Sequence, residues 1–326
     1  MKRNHIAGYP SATAANLSLF TDGDLERIHL ATLEILERVG VYFENDEAIK
    51  ILKDAGAQVE DGNIVKLPGY MVEEAIRTAP KNLILAGRSE ENDMLIQKGR
   101  VYFTTFGQGV SVDDPYTGQW RPSVKQDICN AAKTVDALAG YDFCFDMLAA
   151  SDVHAAIECY HTFEAKITNT SKHIVAPAQT RDRAELLTEM GIAISGSLKA
   201  LQERPVFQFG GCPISPLSYP NDMAECLIYC AENGLPIHCL SMSMAGGMAP
   251  TTLAGALVVH NADILSGLVL HQAVRPGAPF IYASSTSIMW LKKASAVLGC
   301  PEIGMINAGL TKITQMYGLP SFVAGT

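Results

Sequence analysis

From residue 101 to the end of the chain, short apolar β-runs alternate with longer segments of helical periodicity. The β-runs are 101–112, 141–148, 173–178, 205–211, 236–242, 279–285 and 320–326. Six main helices are expected between them. Four runs open on a proline (Pro205, Pro236, Pro279 and Pro320), and Gly-Leu-Pro stops the preceding helix twice, at 234–236 and 318–320. Strands that alternate with helices pair in parallel through right-handed crossovers. The mean repeat is about 36 residues, the length of one βα unit in a (β/α)8 barrel. Closure takes eight strands and seven are present. The expected fold is therefore α/β, a (β/α)8 TIM-type barrel truncated after strand seven. A doubly wound open sheet of seven strands is the alternative. No Gly-x-Gly-x-x-Gly follows any strand, so its dinucleotide-binding version has no support.

Residues 1–98 have a different texture and are expected to form a mainly helical N-terminal extension to the barrel of 99–326. Thr21 and Asp24 have the spacing of a capping box. Leu25, Ile28, Leu33, Leu36 and Val39 then follow a roughly helical period that Gly40 ends. Asn45 is placed to cap a second helix ending near Ala55-Gly56. Pro68 opens a third that Pro80 stops.

A net charge of −9 lacks the basic excess of a nucleic-acid binder. The N-terminus has two early cations but no apolar segment behind them, so it is no signal peptide. The most apolar long stretch, 253–274, contains Asn261, Asp263 and two histidines. That composition fits a buried helix and not a membrane span. Eight cysteines are scattered without a C-x-x-C pair, as expected of free thiols in a reducing cytoplasm. Cys226 and Cys230 share a helix face without a histidine at matching spacing, so packing is the expected role. His238 and Cys239 are adjacent in a strand and point to opposite faces, which rules them out as joint ligands. No metal site is expected.

Catalytic groups of a barrel sit at the C-terminal ends of its strands. That geometry selects Gln108, Gln179, Gln208, Phe209, Ser241, Ser243 and Ser284 as substrate-binding candidates, with Asp146 and Thr326 as catalytic ones, and the ring of Tyr282 adds a further substrate-binding candidate. Asp146 lies in an apolar strand, where a carboxylate is costly unless paired. It either engages an ammonium substrate or makes a structural salt bridge. The glutamines and serines have a plain alternative as hydrogen-bonded packing layers.

Residues 25–60 (LERIHLATLEILERVGVYFENDEAIKILKDAGAQVE), 72–88 (VEEAIRTAPKNLILAGR), 113–127 (DDPYTGQWRPSVKQD) and 318–326 (GLPSFVAGT) resemble the trimethylamine methyltransferase family. The resemblance covers nearly the whole chain in order. It implies a (β/α)8 barrel with an N-terminal extension. It also implies methyl transfer from a methylated amine to cob(I)alamin, with the cobalamin carried by a separate corrinoid protein and no cofactor bound directly. Some members carry pyrrolysine, encoded by an amber codon, shortly after a segment like PSFVAG. Others lack it and demethylate glycine betaine and related quaternary amines. The expectation is that the chain stops after Thr326 because an amber codon follows, and that the short product is itself inactive. The alternatives are a betaine-type enzyme cut short and a truncated barrel kept for binding.

On this resemblance the partners are a methylated amine and the cognate corrinoid protein. The full-length enzyme is expected to be a cytoplasmic homo-oligomer that touches neither nucleic acid nor membrane. Phe209, Tyr282 and Trp290 could offer ring faces to a methylated ammonium. The Gly- and Met-rich loop 242–252 could touch the corrinoid partner. A zinc-activated relative would need converging thiolate and histidine ligands, which the chain does not offer.

Overall fold

A computed structural model describes residues 19–177 and 180–324. Residues 19–82 form α1 (Asp22–Arg38), β1 (Val41–Phe43), α2 (Asp46–Asp54), β2 (Gln58–Glu60), β3 (Ile64–Lys66) and α3 (Gly69–Thr78). Next come β4 (Leu83–Leu85), β5 (Met94–Ile96), β6 (Ser111–Asp113), β7 (Trp120–Pro122), α4 (Lys125–Ala137), β8 (Phe143–Cys144), α5 (Glu158–Asn169) and β9 (His173–Ala176). They are followed by α6 (Arg181–Ser195), α7 (Leu198–Glu203) and β10 (Phe207–Gly211). The last stretch holds β11 (Ser218–Tyr219), α8 (Asn221–Asn233), β12 (Ile237–Ser241), β13 (Met244–Ala245), α9 (Leu253–Val274) and β14 (Phe280–Ser284). It ends with β15 (Ser287–Trp290), β16 (Ser295–Val297), α10 (Pro301–Tyr317) and β17 (Ser321–Val323).

The chain forms two compact units. One is built from residues 83–177 and 182–210, the other from 19–82, 180–181 and 211–324. In the first, β8, β9 and β10 pair in parallel and in chain order. Phe207 stands edge-on to Phe163 of α5 (5.1 Å between centroids) and to Phe209 (5.2 Å), so these rings point to the helices. In the second, β12, β14 and β17 pair in parallel and again in chain order, with α9 and α10 as the crossovers.

The signals that set helix ends are local, and the structure realises them. Thr21 Oγ1 accepts from the Asp24 N–H, and the Asp24 carboxylate accepts from the Thr21 N–H, closing the capping box. Asn45 Oδ1 accepts from the Ala48 N–H at 2.7 Å and starts α2. Both Gly-Leu-Pro stops are built alike. Gly234 and Gly318 take φ of 63° and 69°, the left-handed cap that glycine adopts without strain. The next N–H then reaches back across the last turn, Leu235 to Cys230 O at 2.9 Å and Leu319 to Thr314 O at 3.0 Å. Both leucines are buried, and the proline turns the chain into the next strand.

Two expectations are corrected. The run 101–112 makes no continuous strand and meets its neighbour only through parallel bridges at Thr104–Phe143 and Gly109–Leu148. Side chains replace the ladder there. Asp142 accepts from the Phe103 N–H, Thr104 donates to Phe143 O, and Thr105 accepts from the Phe145 N–H. The run 141–148 shrinks to Phe143–Cys144 for the same reason. The N-terminal stretch forms its three expected helices, α1, α2 and α3, and adds short strands between them. β1 pairs antiparallel with β3 and parallel with β11, and β2 pairs antiparallel with β3.

Helix α9 is long and apolar enough to cross a membrane by length and composition, but 78% of its most apolar window is buried within the protein. It is the central helix of the larger unit. Its Gly267 leaves room for the Tyr219 ring: a Cβ there would lie 2.3 Å from Tyr219 Oη. Gly304 of α10 faces open space. Gly267→Ala should therefore cost about 1–3 kcal/mol by overpacking. Gly304→Ala should be neutral or stabilising by up to ~1 kcal/mol through the unfolded chain. Urea midpoints of the two variants check the contrast.

Candidate functional site

The C-terminal ends of β12 and β14 carry a dense set of buried polar groups, all tied to α9. Ser241 ends β12, and its Oγ donates to Asp263 Oδ2 at 2.9 Å. The Asp263 carboxylate also accepts from Ser215 Oγ and from the Leu217 N–H at 2.7 Å, which draws the loop after β10 onto α9. Burial raises the Asp263 carboxyl above its ordinary range, against the lowering effect of these donors.

One turn earlier on α9, His260 Nδ1 lies 2.6 Å from Thr286 Oγ1, and Thr286 Oγ1 lies 3.2 Å from Ser243 Oγ. Ser284 Oγ accepts from the Thr286 N–H. His260 Nε2 has no hydrogen-bond partner among the described residues. Desolvation lowers the His260 pKa to about 3, so its ring is neutral.

A third network runs from the middle of β14 to the surface. Tyr282 Oη donates to Asn261 Oδ1 at 3.0 Å, and Asn261 Nδ2 donates to Tyr317 Oη at 2.8 Å and to Thr32 Oγ1 at 3.0 Å. His29 lies between Tyr317 Oη (2.8 Å) and Glu73 Oε1 (2.7 Å). α1, α3, α9, α10 and β14 are thereby joined through side chains.

These contacts show which way the strand side chains point. Successive residues of a strand face opposite sides. In β14, Phe280 meets the His271 ring of α9 and Tyr282 bonds Asn261, so Ser284 shares the helix-covered side. In β12, Cys239 Sγ lies 3.4 Å from Tyr219 Oη, and Ser241 bonds Asp263, on that same side. Where a pocket-lining role is expected, Ser241 and Tyr282 have their polar atoms engaged by α9, and Ser243 and Ser284 have theirs engaged by Thr286. Phe209 likewise faces the helices, beside Phe207. The other side of β12, β14 and β17 carries His238, Leu240, Ile281, Ala283 and Phe322. The rings of His238 and Phe322 are 6.1 Å apart. Burial lowers the His238 pKa to about 4, so this imidazole is neutral too.

The remaining candidates are scattered. Gln208 is buried in β10 on the side opposite Phe207 and Phe209. Gln108 is exposed in an irregular stretch. Gln179 and Thr326 lie outside the described residues. Asp146 makes the salt bridge: Lys166, fully buried on α5, pairs with its carboxylate and also donates to Val175 O at 2.5 Å. Of the two roles open to Asp146, the geometry shows the structural one. The Trp290 ring face is covered by Lys293, whose Nζ is 4.5 Å from the ring centroid. Cys226 and Cys230 are buried thiols pushed upward by desolvation, Cys226 to about 12. Among the described residues no cluster of three His, Cys, Asp or Glu could hold a metal ion.

Lys166 is among the residues that sequence reasoning missed, and that reasoning weighs His238 only as a metal ligand. A lysine on an otherwise apolar helix face is a visible signal for the first. The parity of His238 with respect to Cys239 signals the second, once the helix side of β12 is known.

The family model for trimethylamine methyltransferase (MTTB) matches residues 2–326. The trimethylamine methyltransferase of Desulfitobacterium hafniense is 41% identical over 320 residues, covering 98% of this chain and 64% of that protein. That of Methanosarcina thermophila is 38% identical over 332 residues, covering all of this chain and 68% of that protein. A glycine betaine methyltransferase of Desulfitobacterium hafniense is 29% identical over 309 residues, covering 94% of this chain and 64% of that protein. The chain thus spans about two thirds of the length of these relatives. The crystal structure of the Methanosarcina barkeri monomethylamine methyltransferase has the same fold, with a TM-score of 0.57 at 13% identity. That likeness covers 93% of this chain and 61% of the other.

Two outcomes test the site's electrostatics. Burial lowers the pKa of His173, His238 and His271 to about 4, as it lowers that of His260 to about 3. The unfolded chain protonates these rings near ~6.5 and the folded one does not. Their contribution is therefore full above that pH and is lost as pH falls toward 4, at up to ~1.4 kcal/mol per ring and pH unit. Unfolding free energy should drop by several kcal/mol between pH 6.5 and 5. Urea titrations across that range check it, and His271→Asn should flatten the slope by about one proton. For the ion pair, Lys166→Met alone should cost about 3–5 kcal/mol, and adding Asp146→Leu should restore much of it. The same urea measurement reads both.

Proposed function

The chain belongs to the trimethylamine methyltransferase family, and from that premise we propose that it takes a methyl group from trimethylamine and passes it to the cob(I)alamin of a separate corrinoid protein. The observation that carries this reading is the family match over residues 2–326. The fold proposed with it is a (β/α)8 barrel, to which the parallel strands β8, β9, β10, β12, β14 and β17 would belong. Parallel pairing in chain order, with a helix between successive strands, supports that arrangement.

In the proposed reaction the C–N bond breaks with its electron pair left on nitrogen, and a C–Co bond forms. The acceptor's Co(I) supplies the nucleophile. The protein's task is to hold nitrogen, methyl carbon and acceptor in line and to keep water out. The nitrogen must carry a positive charge to leave as a neutral amine. Protonated trimethylamine does so and leaves as dimethylamine. The side of β12, β14 and β17 turned away from α9 suits such a cation. It is apolar and aromatic among the described residues, and His238 on it stays neutral and does not repel an ammonium. Ser241, Ser243, Ser284 and Tyr282 act from behind, fixing the strand ends against α9. Gln108, Gln179, Gln208 and Thr326 remain proposed pocket residues on the strength of their strand-end positions.

The test is demethylation by the purified full-length protein with free cob(I)alamin as acceptor, kept reduced by titanium(III). Dimethylamine and methylcobalamin should form in equal amounts from trimethylamine. The glycine betaine relative supports a second reading, in which a quaternary amine needs no proton to become a leaving group. Dimethylglycine from betaine, with no dimethylamine from trimethylamine, would decide for it. No methyl transfer from either amine would sink both.

A further inference from the structure

We infer that the β15–β16 hairpin, together with the loops after β10 and β12, is the docking surface for the methyl-acceptor protein, a partner whose apolar docking face has an acidic rim. The inference deepens the function proposed above and rests on it.

The three segments adjoin. Ser215 Oγ of the first loop lies 3.1 Å from Ser241 Oγ, and the Ser287 N–H at the base of the hairpin donates to Ser243 O at 3.2 Å. The parallel register of β12 with β14 continues without a slip into β13 with β15, so the hairpin extends the C-terminal end of the sheet. Gly247 lets the β13 turn close on Met289: a Cβ there would stand 2.4 Å from its Cε. The surface is thus built in advance, which lowers the ordering cost of binding.

Its chemistry is unlike that of the rest of the chain. Leu298, Leu291 and Ile214 are 73%, 66% and 59% exposed, and Met242 and Trp290 are each 47% exposed. Residues 212–220, 242–252 and 285–300 contain two charged side chains, Lys292 and Lys293. At the chain's overall 18%, about six would be expected. Depletion of charge around exposed apolar and aromatic groups marks the core of a protein interface. Both cations stand at the hairpin tip, and these segments hold no carboxylate, in a chain of net charge −9. An acidic protein is repelled by most of this molecule and attracted here. Charge complementarity of that kind selects partner and orientation. The strand ends below are where the acceptor must arrive for its metal to reach the methyl carbon.

The experiment compares two acceptors. Methyl transfer is followed to the purified cognate corrinoid protein and to free cob(I)alamin, for the wild type and for Leu291→Ser/Leu298→Ser and Lys292→Glu/Lys293→Glu. These side chains are exposed, and unchanged melting curves confirm that the variants fold. With the corrinoid protein, KM for the acceptor should rise ~10-fold or more in both variants, and the charge reversal should invert its salt dependence. With free cob(I)alamin, turnover should stay at the wild-type level. Equal kinetics of variants and wild type with the corrinoid protein would overturn the docking surface alone. So would a wild-type self-association, seen by sedimentation, that the leucine variant abolishes. No transfer by the wild type to either acceptor would overturn the functional reading and this surface with it.

Discussion

Helix α9 carries polar side chains through the middle of an apolar core, and each must find a partner there. His260, Asn261, Asp263, Ser266 and His271 are all fully buried. An unsatisfied group of this kind costs a few kcal/mol, a sizeable share of a domain's net stability. The partners come from most of the unit. Asn261 takes α1, α10 and β14, while Asp263 takes the loop after β10 and the end of β12. His271 lies within hydrogen-bond distance of Leu227 O on α8 and Pro279 O before β14. A one-residue slip of α9 would turn every one of these groups away from its partner by about a quarter turn. The apolar residues of α9 would tolerate several registers, and the polar ones select one.

The same arrangement governs charge. A carboxylate and four imidazoles in the interior are all driven toward their neutral forms by desolvation. The buried charged pair of Lys166 with Asp146 is stabilised by mutual attraction and by the Val175 carbonyl. Such pairs are weak sources of net stability but are costly to break singly. Polar chemistry is thus spent on holding strands to helices. The opposite side of β12, β14 and β17 carries mainly apolar residues among those described, Leu240, Ile281, Ala283 and Phe322 beside His238.

What was legible in the sequence is what local interactions decide. The Thr21–Asp24 box, the Asn45 cap and the two Gly-Leu-Pro stops act within a few residues, and each formed as expected. The order of strands and helices followed from periodicity. The side of the sheet on which Ser241, Tyr282 or Ser284 points did not. Both faces of a parallel sheet are buried, so neither alternation nor polarity separates a residue facing a helix from one facing away. Asp263 and Asn261 on α9 decide the matter, and they are distant in sequence. The same holds for Asp146, whose partner Lys166 is one helix further on. The runs 101–112 and 141–148 had strand composition, but Thr104 and Thr105 bond the backbone of the second run and Asp142 bonds that of the first. Strands of three residues, such as β1 to β3, are too short to display a period.

The end of the sheet joins these threads. Between β12 and β13, and at the matching point between β14 and β15, the ladder is interrupted, and Ser243 and Thr286 occupy the gap. His260 fills the space behind them from α9. The gap lets the pleat end and resume in the same register, so β15 leaves the barrel-like stack still paired to β13. The position of the exposed hairpin is therefore set by a buried histidine beneath it. The strand ends are braced from the helix side, and the loops above are tied to them by hydrogen bonds from Ser215, Leu217 and Ser287 rather than by charges of their own. They can remain apolar, as a surface that meets another protein requires, without loosening the sheet that carries them.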